Sequence, residues 1–246
     1  MASSTFALAY PNFIQAKDGF NSLLIPEVID AGGGTPVEIV ARAGKTMFFD
    51  GVTTETWGFN QSFLGPVLRV RKGNTANINV KNQLNRPITC HWHGLHVPGN
   101  VDGGPQLIIP PNKTWSPELE IDQPASTVWY HSHMHGLTSD HVYAGLAGMM
   151  IIDDPEITDG KLPNTFGEDD LPMIIQDRAF NSDGSFFYEK RGPSLMHGFR
   201  ANTILVNGTV RPHRSVPSGV IRFRLLNGSN ARIYHLRFSD NRTFYQ

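Results

Sequence analysis

Hydrophobic and polar residues alternate with a period of two along most of the first half of the chain. Because successive side chains of a β-strand point to opposite faces of a sheet, this period predicts half-buried strands. No segment keeps a helical period over three turns. The pattern predicts an all-β chain folded as an antiparallel, Greek-key β-sandwich. The segments that carry the alternation are 37–49, 67–71, 76–80, 115–121 and 127–133.

A polar stretch rich in Pro, Gly and Asp, residues 153–172, interrupts the alternation and predicts a linker. Strand-like segments resume after it. We therefore expect one complete sandwich domain over residues 1–155, then a linker and the first, incomplete part of a second sandwich over residues 156–246. The later predicted strands are 173–176, 203–206, 220–226 and 233–238.

Charge and composition exclude some partners. Lys and Arg number 21 against 22 Asp and Glu, and no basic run is present, so no nucleic-acid partner is expected. The most apolar stretch, 143–152, is about half the length that spans a bilayer, so it predicts a buried strand and no membrane span. Residues 1–10 lack the basic and apolar regions of a signal peptide. The single cysteine, Cys90, excludes a disulfide within the chain.

Histidines are concentrated in two motifs, C-H-W-H-G-L-H at 90–96 and W-Y-H-S-H-M-H-G at 129–136. Residues i and i+2 of a strand share a face, which pairs His91 with His93 and His131 with His133. Two such strands side by side would bring four imidazoles together, and a metal ion would offset the desolvation of their nitrogens. Imidazole suits copper, zinc, iron and nickel, whereas a structural zinc finger needs clustered thiolates. The alternative, surface histidines at the edge of a sheet, would explain one such motif, but it explains two motifs less well.

The two motifs resemble the N-terminal copper motifs of the multicopper oxidases, which include laccases, bilirubin oxidases and bacterial cuprous oxidases. V-D-G-G-P-Q at 101–106 is similar to the bacterial branch, and the similarity continues into L-L-N-G-S-N-A-R at 225–232. The resemblance implies cupredoxin-like domains and a trinuclear centre of one type 2 and two type 3 coppers.

By this resemblance, His91 would bind the type 2 copper, His93 and His131 one type 3 copper, and His133 the other. The remaining ligands and the type 1 copper would come from a C-terminal remainder, on the same polypeptide or on a separate chain. A His-Cys-His motif, which the family uses for type 1 copper, does not occur in this sequence.

The resemblance implies a laccase-like oxidase that acts only with that C-terminal region. It would take single electrons from a small reducing substrate (phenols, aromatic amines, pigments or metal ions) and reduce dioxygen to water. A periplasmic or secreted location is also implied. The alternatives are a copper-binding or storage module without turnover, and a structural sandwich that binds metal incidentally. Copper binding with and without the C-terminal region would separate them.

Several other residues need an interpretation. Asp102 lies in the Gly/Pro-rich loop after the first histidine pair, and we expect it to relay protons or orient a copper-bound water, although turns favour aspartate anyway. Cys90 is expected to be a buried, inert thiol, because it precedes the histidine face by one residue. His96 and His135 are interpreted as local or supporting residues. The remaining histidines are interpreted as isolated structural residues: His141, His197, His213 and His235.

Overall fold

The computed structural model describes residues 19–157 and 162–246, and its regular structure consists mainly of strands. The strands are β1 (Asn21–Ser22), β2 (Val28–Asp30), β3 (Val37–Phe49), β4 (Val52–Phe59), β5 (Val67–Arg71), β6 (Thr75–Asn82), β7 (His91–His93), β8 (Thr114–Trp115), β9 (Glu118–Glu120), β10 (Ser126–His131), β11 (Ala147–Asp153), β12 (Asp170–Phe180), β13 (Phe186–Phe187), β14 (Thr203–Val206), β15 (Thr209–Val210), β16 (Pro212–His213) and β17 (Arg222–Asn227). Two short helices are α1 (Thr138–Ala144) and α2 (Pro193–His197).

Two five-stranded sheets form the first sandwich. One has the order β2-β5-β11-β10-β7, and the other has the order β4-β3-β6-β8, with β9 also paired to β6. The chain passes repeatedly from one sheet to the other, which gives the Greek-key arrangement expected from the sequence. Alternate residues of β6 are buried, so the predicted period of two does face a core. That core includes Ile39, Val70, Ile78, Trp92, Leu119 and Tyr130.

The expectation of antiparallel sheets is wrong in part, because both sheets are mixed. Strand β5 pairs in parallel with β2 and β11, and β3 pairs in parallel with β6. Parallel neighbours need a crossover connection, which the chain makes here by passing through the opposite sheet. Hydropathy alternation reports the buried face of a strand but not the direction of its neighbour. The predicted strand 115–121 is also divided, since Pro117 lies between β8 and β9 and cannot donate to a ladder.

The second part of the chain is organised around β12. This strand pairs with β13 and β14 antiparallel and with β17 parallel. It is buried at nearly every position. Ile174 and Phe180 pack in one apolar cluster with residues of β11, whereas Ile175 and Ala179 lie in two other clusters. Strand β12 begins inside the predicted linker 153–172, of which residues 158–161 lie outside the described residues. The proposed division at residue 155 stays a prediction.

Two further segments predicted as strands have different outcomes. The segment 233–238 is not a strand, because its alternating residues find no ladder partner in the described part of the chain, and Ile233 is 81% exposed. The apolar stretch 143–152 does form a buried strand, β11, preceded by the end of α1. In the part of the chain that the structure describes, no helix is long and apolar enough to cross a membrane. Residues 1–10 lie outside the described residues.

Candidate metal centre

Strands β7 and β10 are antiparallel neighbours, and their register brings the histidine motifs together. His91 lies opposite His131, and His93 lies opposite Trp129. The ring centroid of His91 is 5.5 Å from that of His131 and 5.2 Å from that of His133. The four imidazoles expected to converge therefore occupy one small volume, at the edge of the sheet that ends with β7.

Three of these histidines form a compact ligand set. One ring nitrogen from each of His91, His93 and His131 lies within 4.8 Å of the other two, the only such group of three or more found among residues 19–157 and 162–246. The closest atoms are His93 Nδ1 and His131 Nε2, which are 3.2 Å apart. Two nitrogens bound tetrahedrally to one first-row metal ion would be about 3.3 Å apart, given bonds of roughly 2.0 Å. The spacing of this pair fits a shared ion.

His133 approaches the cluster from a loop, not from a strand as predicted. Strand β10 ends at His131, where its pairing with β7 and β11 also ends. The backbone N–H of His133 instead donates to Thr89 Oγ1, at 2.7 Å. His133 Nδ1 is buried and has no hydrogen-bond partner among the described residues. A buried nitrogen left in this state is costly, so the site fits an additional ligand or ion there.

The environment of His131 keeps its imidazole neutral. The side chain is almost fully buried, Trp129 stacks on it at 4.1 Å, and Nδ1 lies 2.9 Å from the Ser132 carbonyl oxygen. Burial lowers the pKa of His131 to about 3, a shift that the Ser132 carbonyl opposes and the neighbouring imidazoles increase. With Nδ1–H donated to that carbonyl, Nε2 presents its lone pair towards His93.

His93 is more exposed than His131, and the pKa of its imidazole is also lowered, by desolvation and by the adjacent His91 and His133. Its ring lies 5.1 Å from that of Trp129, so the same indole contacts two of the histidines. Neutral imidazoles are the form that binds a metal ion.

Asp102 lies beside His91. Its backbone carbonyl oxygen is 2.9 Å from His91 Nδ1, and its carboxylate Oδ2 is 3.3 Å from the same nitrogen. The carbonyl also accepts the backbone N–H of Trp92, at 3.2 Å. If Nδ1–H is donated to the carbonyl, Nε2 of His91 is left for a metal ion.

A glycine makes this approach possible. Gly103 has a φ of +74°, and a Cβ there would overlap the carbonyl oxygen of Cys90 and lie 2.9 Å from His91 Cα. Only glycine has both the conformation and the space that this close packing requires. The buried indole of Trp92 holds the same loop, because its Nε1–H donates to the Val101 carbonyl at 3.1 Å.

The other residues singled out from the sequence lie outside this cluster. Cys90 is fully buried in the core and burial raises the pKa of its thiol, which confirms the predicted buried cysteine. Five histidines interpreted as local or isolated are exposed and do not belong to the ligand set: His96, His135, His197, His213 and His235.

His141 is the residue that the sequence interpretation missed. It is buried on α1, and its Nδ1 lies 2.8 Å from the hydroxyl of Ser132, the residue between His131 and His133. Its interpretation as isolated was therefore wrong. The only signal in the sequence was its short distance from the second motif, because α1 spans seven residues and is too short to show a helical period.

An all-β Greek-key sandwich in which His91 and His93 on β7 lie beside His131 on β10 has the donor set of a histidine-ligated metal protein. A family model described as multicopper oxidase matches residues 41–157. A multicopper oxidase, mco, from Staphylococcus aureus is 38% identical over 94% of this chain and 52% of its own length. The cell division protein FtsP of Dickeya dadantii is 38% identical over 96% of this chain and 50% of its own length.

Solved structures agree with these relatives. The bacterial laccase-like multicopper oxidase CueO of Ochrobactrum sp. superimposes with a TM-score of 0.85 at 40% identity, over 89% of this chain and 49% of that one. The multicopper oxidase McoA of Aquifex aeolicus superimposes with a TM-score of 0.81 at 37% identity, over 87% and 47%. The chain belongs to the multicopper oxidase family and has its cupredoxin-like fold. It spans about half the length of the curated relatives it matches.

Proposed function

We propose that this chain is the N-terminal part of a laccase-like copper oxidase that couples one-electron oxidation of a small reducing substrate to the reduction of dioxygen to water. The observation that carries the proposal is the convergence of His91, His93, His131 and His133 on one volume. Their donor set suits copper, since neutral imidazole nitrogens are ligands that it binds well. Bound copper would supply one-electron redox chemistry and the site of dioxygen reduction.

The four histidines would divide between the coppers of a trinuclear cluster. His93 and His131 would share one type 3 copper, which their 3.2 Å nitrogen spacing supports. His91, which contacts Asp102 through Nδ1, would bind the type 2 copper, and His133 would bind the second type 3 copper. The trinuclear cluster would be completed by ligands from the C-terminal remainder, which would also hold the type 1 copper.

Asp102 would act as the proton carrier. Reduction of dioxygen to water consumes protons, and a carboxylate near the reacting oxygen can deliver them or orient a water. Asp102 is about one-third exposed, with Oδ2 3.3 Å from His91 Nδ1, so it connects solvent to the ligand set. The His91 imidazole, held by the Asp102 carbonyl, would keep its orientation while the carboxylate exchanges protons.

We place the oxidase in the periplasm or outside the cell, following the family resemblance. The C-terminal remainder would be its partner, either in one polypeptide or as a second chain. Relatives that are about twice as long as the matched region support this requirement.

The test is oxygen consumption with a phenolic donor by the copper-loaded, full-length protein. We expect turnover that is lost on removal of copper by a chelator and in His131→Ala. His96→Ala is the matched control, because it changes the exposed last histidine of the first motif, and it should retain activity. Full turnover by His131→Ala would contradict the proposal.

A copper-binding protein without turnover is the second candidate. It is supported by the compactness of the His91, His93 and His131 set within this chain alone, and by relatives named FtsP, which carry a cell-division name. This candidate predicts stable copper loading of the full-length protein together with no oxygen consumption for phenols, aromatic amines or metal ions. Turnover with any of these donors would exclude it.

A further inference from the structure

His141 occupies a buried position directly behind the second histidine motif. It is 1% exposed, lies in α1, and packs edge-on against the indole of Trp57, with ring centroids 5.3 Å apart. Its backbone carbonyl accepts the N–H groups of Gly145 and Leu146, which tie α1 to the start of β11. Burial lowers the pKa of His141 to about 4, so the imidazole adds no positive charge near a cationic metal centre at neutral pH.

Ser132 connects His141 to the histidine ligand set. The residue is fully buried, and its hydroxyl lies 2.8 Å from His141 Nδ1. Its backbone carbonyl oxygen lies 2.9 Å from His131 Nδ1 and can accept its hydrogen. Its backbone N–H donates to the Leu146 carbonyl at 3.2 Å. Every polar group of Ser132 therefore has a partner, and one of these partners is His131.

The other side of the motif is fixed by Thr89. Its hydroxyl accepts the backbone N–H of His133 at 2.7 Å, and its own N–H lies 3.5 Å from the Ser132 hydroxyl. The backbone from His131 to His133 is thus held from two directions, by Thr89 on the chain before β7 and by His141 on α1. His131 is the last residue of β10, and the Ser132 N–H beyond it still donates to the Leu146 carbonyl, but His133 belongs to no strand ladder.

We propose that His141 and Ser132 form a positioning pair that sets the backbone, and through it the tautomer and orientation, of His131 and His133. The inference rests on the proposed copper site. The Ser132 carbonyl can hold Nδ1–H of His131 only while Ser132 keeps its place. His141 contributes the shortest contact to that placement, through the Ser132 hydroxyl, beside the longer contacts with the Leu146 carbonyl and the Thr89 N–H. Groups behind metal ligands typically change metal affinity by about ten-fold or more when removed.

The first experiment measures copper retention against a chelator in the full-length protein. His141→Leu and Ser132→Ala should each lower the copper affinity of the type 3 site by about ten-fold or more, with the protein still folded. His141→Gln keeps an amide that can bond the Ser132 hydroxyl, and should remain within a few-fold of wild type. His197→Leu removes an exposed histidine and is the matched control. Wild-type copper retention in both His141→Leu and Ser132→Ala would overturn the proposal and leave His141 as a packing residue.

The second experiment uses the copper-free protein, so that it does not depend on the proposed function. Long-range ¹H–¹⁵N spectra of the imidazoles report which ring nitrogen of His131 carries the proton. Wild type and His141→Gln should show a single Nδ1–H form, whereas His141→Leu and Ser132→Ala should show a mixture. An unchanged His131 tautomer in those two variants would reject the positioning pair. Failure of wild type to bind copper would instead reject the proposed function. The His131 tautomer in the copper-free protein would still test the positioning pair in that case.

Discussion

Replacing Gly103 by alanine tests whether the loop after the first histidine pair sets the geometry of His91. A Cβ at this position would overlap the Cys90 carbonyl oxygen and crowd the backbone of His91. The φ of +74° is also one that alanine rarely adopts. To restore van der Waals contact, the loop must move away from β7 by more than about 1 Å. Asp102, the adjacent residue, would move with it.

The expected loss of stability can be worked from the contacts. Alanine in a left-handed conformation costs about 1 kcal/mol. The Asp102 carbonyl would lose its contacts with His91 Nδ1, now 2.9 Å, and with the Trp92 N–H, now 3.2 Å. Each such hydrogen bond contributes about 1 kcal/mol. We therefore expect the free energy of unfolding to fall by about 3 kcal/mol, with weaker copper binding because His91 is no longer oriented.

The assay is urea denaturation of the copper-free, full-length protein, followed by copper retention against a chelator. Gly99→Ala is the matched control, because Gly99 precedes Asp102 in the same loop and a Cβ there would meet nothing within 4 Å. Gly99→Ala should behave as wild type in both measurements. If Gly103→Ala unfolded at the wild-type urea concentration and retained copper equally well, the role assigned to this loop would be refuted.

Three further predictions follow from the structure. Asp102→Asn should load copper nearly normally but slow the reoxidation of the reduced enzyme by dioxygen in stopped-flow experiments, because asparagine cannot carry a proton. Wild-type rates across pH would show that Asp102 is only a turn residue. The pKa of His141 is about 4 when folded and near 6.5 when unfolded, so its contribution to stability is complete above pH 6.5 and is lost as the pH falls towards 4. Copper-free wild type should therefore lose about 3 kcal/mol more than His141→Gln over that range, and parallel pH profiles in urea denaturation would contradict this. Arg178→Met should lower the free energy of unfolding by about 2 kcal/mol or more, because the buried guanidinium donates to the backbone carbonyls of Val142 and Tyr143, which would be left unpaired. Arg200 is exposed, so Arg200→Met is the control, and an equally small decrease in both variants would contradict this prediction.

The sequence predicted the part of the site that depends on strand periodicity. His91 and His93 share a face because they are two residues apart in β7, and His131 lies opposite His91 in the neighbouring strand. Alternation alone could not place His133, because the end of β10 depends on which residues of β7 and β11 are available for pairing. For the same reason the parallel pairs of the first sandwich were not predictable from hydropathy.

Contacts between separate segments could not be predicted from the sequence for a different reason. His141 contacts Ser132 only because α1 folds back behind the second motif, and a helix of seven residues leaves no periodic signal. Gly103 carries a visible signal, a Gly-Gly pair in a loop, but the need for glycine comes from the Cys90 carbonyl, which is distant in sequence. Local patterns predicted which histidines form the candidate site, whereas the contacts that orient these histidines depend on three-dimensional packing.

The pairing of histidines with coppers is the central claim, and spectroscopy of single variants of the full-length protein tests it most directly. His93→Ala and His131→Ala should each abolish the near-ultraviolet absorption of the type 3 pair while the protein stays folded, and His91→Ala should abolish the type 2 electron paramagnetic resonance signal. His135→Ala, which changes the exposed last histidine of the second motif, should leave both signals unchanged. Type 3 absorption retained in both His93→Ala and His131→Ala would contradict the assignment.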